Sequence, residues 1–267
     1  MGTATIRHTA ILAFYLLSCM FCVSLKAQDR TIGSGTVAAA GTAPKKHKIM
    51  IVPFESRMYL SEIDFQINKE SKLSAKEIKA VMRDGLSEQF YKKLKSKMGV
   101  VDMLDDTVKT GKDLANVYQY LAYQYQKVPN QDHYKTPTKE KQQTTIEKGQ
   151  INIESNNEAR FMNAKIKSPS LVPYLYGKYK TDLYLFINEL DIKALTGSAA
   201  DMNVNGPRKI IMHYTVYTYD AREINSGIAE VDLPSGVNNP NKIINSYFSQ
   251  LAEIVSSRID KALLSVK

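Results

Sequence analysis

The chain has 267 residues, a formal charge of +9, no tryptophan and 16 tyrosines. Its two cysteines, Cys19 and Cys22, both fall within the first 27 residues. A chain cut after Ala27 therefore carries no thiol, which excludes disulfides, thiol catalysis and cysteine metal sites.

The first 27 residues read as a secretory signal. Arg7 precedes an unbroken apolar run, Ile11 to Val23, and a small residue, Ala27, precedes polar Gln28. The run is shorter than the roughly 20 residues a membrane-spanning helix needs. The expected mature protein starts at Gln28 and is periplasmic or outer-membrane associated. Leu16-Leu17-Ser18-Cys19 resembles a lipobox, so Cys19 is a second candidate start, as a lipidated residue. That alternative would leave apolar Met20-Phe21-Cys22-Val23 next to the anchor, where a polar tether is usual.

Residues 28–46, with Gly33-Ser34-Gly35 and Ala38-Ala39-Ala40-Gly41, read as a flexible linker. Residues 47–267 then form one expected α/β domain. Ile49 to Val52, closed by Pro53, is a short apolar run that fits a strand buried on both faces. Ile63, Phe65 and Ile67 alternate and suggest extended chain. Ser74 and Glu77 make a capping box. Ile78, Met82, Leu86, Phe90, Leu94 and Met98 then give one helical stripe, ended by Gly99.

Val100 to Leu104 is a second strand, and Leu114 to Gln126 fits a second helix. Residues 127–167 are rich in Gln, Asn, Lys, Thr and Glu, and predict a mobile polar insertion. Asp182 to Ile187 is a strong strand. Residues 209–219 and 227–233 form a hairpin around the turn at 220–226. Asn239-Pro240 opens a last helix with a stripe from Ile244 to Leu263. The expected class is α/β (α+β): a mixed sheet of three to five strands with helices packed on it, in the order β-α-β-α-insertion-β-β-β-α.

A strand ending in Pro53-Phe54, a helix leading into a strand, and the turn Tyr219-Asp220-Ala221-Arg222-Glu223-Ile224 before a C-terminal helix carry a resemblance. The order resembles the α/β domain shared by the curli secretion channel lipoprotein, the activator lipoprotein of penicillin-binding proteins and the amino-terminal domain of TolB. In that family the turn often reads Gly-Glu-Ile, and Arg222 takes the glycine's place here. The resemblance implies a sheet-and-helix domain used for docking rather than catalysis. It does not imply a pore, because residues 127–167 lack the alternating apolar strands of a barrel.

Chemistry is sparse. Asp102, Asp105 and Asp106 lack calcium-loop spacing and read as solvated strand-end acids. His47, His133 and His213 have no partner at metal-ligand spacing. No Gly-x-Ser-x-Gly elbow occurs. No catalytic residue, metal or cofactor is expected. Lys76, Lys79, Arg83, Lys92, Lys93, Lys95 and Lys97 crowd the first helix, as a solvated face or as a site for an anionic partner.

The tyrosines are the candidate contact residues. Tyr118, Tyr120, Tyr123 and Tyr125 sit on the expected second helix, which cannot bury all four on one side. Ile210, Met212, Tyr214 and Val216 share one strand face, so Ile211, Tyr217 and Tyr219 take the other. That second face is either covered, making them core, or open, making them a rigid patch. The expected binding residues are Tyr217, Tyr219, Ile211, Tyr120 and Tyr123. The expected function is non-catalytic binding or assembly in the cell envelope, with an envelope protein or peptidoglycan as partner and no nucleic acid. The alternatives are a lipid-anchored assembly factor and a hydrolase of envelope polymers.

Overall fold

The computed structural model describes residues 46–128, 145–147, 150–152, 160–194 and 206–265. The expected signal, Cys19 and the linker up to its last residue, Lys46, lie outside these. Pro44–Lys267 forms one unit by its internal contacts.

The apolar run Lys48–Val52 is a strand, β1. Pro53 and a 3₁₀ turn at Ser56–Met58 lead to a short strand, Tyr59–Ser61 (β2). Next comes a helix, Asp64–Ser71 (α1), where the alternation of Ile63, Phe65 and Ile67 predicts extended chain. The spacing that governs is i to i+4: Ile63 and Ile67 are buried together while Phe65 points out. Lys72, in the left-handed region at φ 64°, ends α1.

Ala75–Lys95 (α2) carries the expected capping box. Ser74 accepts from the Glu77 amide, and the Glu77 carboxylate accepts from the Ser74 amide at 2.8 Å. Gly99–Asp102 (β3) follows, and Asp106 caps Thr107–Tyr120 (α3).

Helix α3 stops at Tyr120, six residues short of its expected end, and Leu121–Lys127 is a strand, β4. The reason is pairing. Arg160–Ile166 (β7) runs antiparallel to β4 along its whole length, from Leu121 opposite Ile166 to Lys127 opposite Arg160. The expected insertion is thus strand at its far end. Within it, Thr145–Glu147 (β5) and Gln150–Asn152 (β6) pair with each other. The rest of that segment lies outside the described residues.

Leu171–Tyr179 (α4), Leu183–Ala194 (β8), Arg208–Thr218 (β9) and Glu223–Leu233 (β10) follow. Asn239 caps Pro240–Lys242 (α5), as its sequence predicts. The helix continues through a π segment, Ile243–Phe248, into Ser249–Ser265 (α6).

The main sheet has six strands, one more than the upper expectation. The order is β10-β9-β8-β1-β3, with β2 also paired to β8 beyond the end of β1. β3, β1, β2 and β8 are parallel, and β8, β9 and β10 are antiparallel. One face is apolar. Ile49, Ile51, Leu185, Ile210, Met212 and Val216 pack there against the α2 stripe and α6. Each such fully buried side chain contributes about 1.5–3 kcal/mol of transfer free energy. Helix α2 closes on the π segment at Gly85, where an added Cβ would lie 2.5 Å from the Ile244 side chain. On the other face, Met50, Val52, Tyr184 and Phe186 pack under α3 and α4.

Candidate functional site

The second face changes character along β8 and β9. A bulge lies between Ile187, which pairs with Tyr214, and Glu189, which pairs with His213. The extra residue reverses the parity of the strand. Leu183, Leu185 and Ile187 face the apolar core before it, and Leu190 and Ile192 face the same core after it. Asn188, Glu189 and Asp191 are left on the second face with His213, Thr215 and Tyr217.

The β4–β7 ribbon lies across these residues. The backbone edge of β7 that does not pair with β4 is satisfied by side chains of the sheet. The Met162 amide donates to His213 Nδ1 at 2.7 Å and the Met162 carbonyl accepts from Asn188 at 2.8 Å. The Ala164 amide donates to Thr215 Oγ1 at 3.3 Å and its carbonyl accepts from the Tyr217 hydroxyl at 2.9 Å. Thr215 also donates to Asn163 and accepts from Asn188. Side chains two residues apart on β9 thus serve backbone groups two residues apart on β7, so the Met162 and Ala164 backbone groups of an edge strand are met by the sheet.

Glu189, Asp191 and His213 are 3%, 2% and 4% exposed. Their ligand-type atoms all lie within 4.8 Å of one another, the one such group among the described residues. Tyr125 donates to the Glu189 carboxylate at 3.1 Å, and Lys193 pairs with Asp191 at 2.8 Å. The other Asp191 oxygen, Oδ1, has no hydrogen-bond partner. Burial, with the Asp191 charge beside it, pushes the Glu189 carboxyl up to about 7. Burial pushes the His213 imidazole down to about 4.

Cation binding does not suit this geometry. His213 Nδ1 accepts a backbone N–H, so the neutral ring carries its proton on Nε2. A metal-bound histidine instead donates from its second nitrogen to an acceptor. The cluster is the place where the ribbon is docked.

A second buried acid joins α3 to α4. Asp113 accepts from Tyr174 at 2.8 Å, from Lys178 at 2.6 Å and from Tyr179. Burial pushes this carboxyl up, but those donors outweigh it and hold it below the usual range. Asp102 accepts from Ser87 and the Leu104 amide, and Asp106 caps α3, so two of the three strand-end acids have separate local duties.

The candidate tyrosines disperse. Tyr217 is buried, with its ring edge-on to Phe186 at 5.8 Å and its hydroxyl on Ala164. The ribbon covers it, so it is core and not an open contact surface. Ile211 is half-buried. Tyr123 lies on β4, half-buried between the two cores. Tyr120 is exposed at the end of α3. Tyr219 is 54% exposed beyond the end of β9, with its ring 5.5 Å from that of Tyr176.

The basic face of α2 is largely committed. Lys92 pairs with Glu88, Lys93 with Glu253 and Lys97 with Asp260, while Arg83 donates to the Phe54 carbonyl and Tyr118.

The C-terminal end of β8 also borders a recess of about 550 Å³. It runs beside β2, α1 and the start of α2, with Leu60, Ile192, Glu62, Asp64, Lys79 and Lys193 in its wall. Leu60 is exposed, and Phe65, next in sequence to Asp64 of the wall, stands 75% exposed on α1. Among the described residues β2 pairs only with β8, so its outer edge is open. This corner is absent from the expected site, because the alternation of Ile63, Phe65 and Ile67 reads from sequence as extended chain.

No family model and no curated protein matches the chain. Among solved structures, the hypothetical protein CT253 from Chlamydia trachomatis is 11% identical, with a TM-score of 0.37, over 82% of this chain and 99% of that one. Lipoprotein GNA1162 from Neisseria meningitidis is 12% identical, with a TM-score of 0.27, over 80% and 96%. Neither likeness is close enough to establish a shared fold or function. Among the described residues no helix is long and apolar enough to cross a membrane.

Proposed function

We propose that this chain is an exported, non-catalytic domain of the cell envelope that works by docking another envelope protein. The observation that carries the reading is the corner at β2 and α1. There an exposed Phe65 and Leu60 flank a recess with walls of mixed charge, beside an unpaired strand edge.

An open edge offers backbone donors and acceptors to an extended peptide. Leu60 and Ile192 offer apolar contact, and Lys79 with Glu62 can meet charges of either sign. A polypeptide segment suits such a surface better than a uniformly polar glycan does. By contrast, Glu189, Asp191 and His213 are buried, with His213 on the ribbon's backbone and Glu189 on its Tyr125, which favours docking over hydrolysis. The apolar run at Ile11–Val23 and Ala27 supports export.

The test is rebinding of partners identified by crosslinking in intact envelopes, with a Leu60→Glu, Phe65→Glu double variant as control. Both side chains are exposed, so the fold should hold. The purified partner should bind the wild-type chain and lose at least tenfold with the variant. Sedimentation with bare peptidoglycan sacculi, equal for both chains and with no protein partner recovered, would overturn the reading.

A further inference from the structure

The end of the sheet opposite the recess gathers three kinds of feature. The chain enters the domain there. Lys46 is the first described residue, and β1 starts at Lys48, whose amide and carbonyl both bond Asp182 at the head of β8. The helices α2 and α4 finish at this end, since each leads directly into a strand that starts beside β1. Helix α6 finishes there too, because Lys93 and Lys97 meet Glu253 and Asp260 in the same order along both helices.

Lys95 stands in the last turn of α2 and Lys180 caps α4, as the helix dipole favours. Exposed Lys46, Lys95, Lys180 and Arg222 stand at this pole, against an exposed Asp220 that lies 3.8 Å from Arg222. Asp182 is taken by His47 at 2.7 Å, and Asp260 by Lys97 at 2.5 Å.

Exposed apolar area lies among the cations. Tyr219 and Tyr176 present tilted rings side by side, Lys180 sits 6.0 Å from the Tyr176 centroid, and Leu264 is exposed on the last turn of α6. Tyrosines with an apolar body and polar tip, ringed by lysine and arginine, have the composition that suits a bilayer interface.

We propose that this pole rests on an anionic phospholipid surface, with Tyr176, Tyr219 and Leu264 at headgroup depth and Lys95, Lys180 and Arg222 against the headgroups. Two observations choose lipid over other anionic partners. The cations come from the entering chain, the ends of α2 and α4 and the β9–β10 turn, not from one cleft, which suits a spread charge. The residues preceding Lys46 also join the domain at this pole, so an acyl group on Cys19, the alternative start, would tether this same pole to a bilayer. The surface is separate from the β2 corner, so either assignment can fail alone. Together they orient the domain, with one pole towards the bilayer and the docking recess away from it.

The test is co-sedimentation of the processed chain with vesicles of phosphatidylglycerol and phosphatidylcholine, and with phosphatidylcholine alone. Producing it from Gln28 leaves out Cys19 and with it any acyl group. Binding should require the anionic lipid and weaken with salt. A Lys95→Gln, Lys180→Gln, Arg222→Gln variant should lose about a hundredfold in partition, at about fivefold per cation. Its melting curve should be unchanged, because all three are surface changes. A Tyr176→Ala, Tyr219→Ala variant should lose about tenfold, as expected for two interfacial aromatics. The Leu60→Glu, Phe65→Glu variant should keep full vesicle binding. Equal vesicle binding by the wild-type chain and the triple variant would overturn the proposal. So would equal binding to neutral and anionic vesicles, or loss of partner protein capture by the triple variant with vesicle binding intact.

Discussion

The two faces of the main sheet are held by different physics. On one, the inward residues are mostly apolar and the main cover is two amphipathic helices. On the other, beyond the bulge at Asn188 and Glu189, the inward residues are polar and the cover is a strand pair docked through side-chain-to-backbone hydrogen bonds. The apolar face tolerates inexact partners, because burial is non-directional. The polar face requires each donor to meet its acceptor, because an unmet buried group costs about 1–3 kcal/mol.

The comparison is tested most severely on the apolar face. Phe90 is fully buried on α2, so Phe90→Ala should lose about 3–5 kcal/mol by denaturant unfolding. Lys92→Ala, at an exposed ion pair two residues on, should lose less than about 0.5 kcal/mol. Equal losses would mean that the stripe does not carry the packing.

The polar face should show itself in pH. Glu189 sits at about 7 against an ordinary 4.5, so the folded state holds its proton better and stability is lost as pH rises through 7. His213 sits at about 4 against an ordinary 6.5, so stability is lost as pH falls through 4. Between 4.5 and 6.5 the two slopes oppose, each about 1.4 kcal/mol per pH unit, and nearly cancel. Glu189→Gln should leave the histidine slope, so that stability rises by roughly 2–3 kcal/mol across that window. His213→Asn, which keeps an acceptor for the Met162 amide, should leave the opposite slope. Flat profiles in both variants would show that the pair does not titrate as its burial requires.

Thr215→Val keeps shape but removes the hydroxyl that serves Asn163, Asn188 and Ala164, and should cost about 1–3 kcal/mol. If it stabilises instead, the polar dock is not held by its hydrogen bonds. The smallest effect belongs to the β9–β10 turn. Ala221 sits at φ 59°, so Ala221→Gly should stabilise by up to about 1 kcal/mol.

The same contrast explains what the sequence discloses. The α2 stripe, the Ser74–Glu77 box, the Asn239 cap and the parity of Ile210 to Val216 are local patterns, and each is found where it is expected. Helix α3 loses its last turns because β4 is fixed by β7, about forty residues downstream at the far end of a segment that reads as polar when taken whole. His213 is correctly placed opposite Met212 and Tyr214. Its partners Glu189 and Asp191 share its face only through a bulge, which no residue at Asn188 signals in advance. Tyr217 is core because the ribbon covers it, and Phe65 is exposed because α1 is a helix. Both outcomes depend on tertiary partners.

The docking claim is tested most directly by a photo-crosslinking residue placed at position 65 in living cells, with position 108 as control. Phe65 is exposed beside the recess, and Val108 is exposed on α3 away from it. The account predicts one discrete protein adduct from position 65, lost when Leu60 is changed to Glu, and none from position 108. The same ladder of adducts from both positions, or none from position 65, would contradict it.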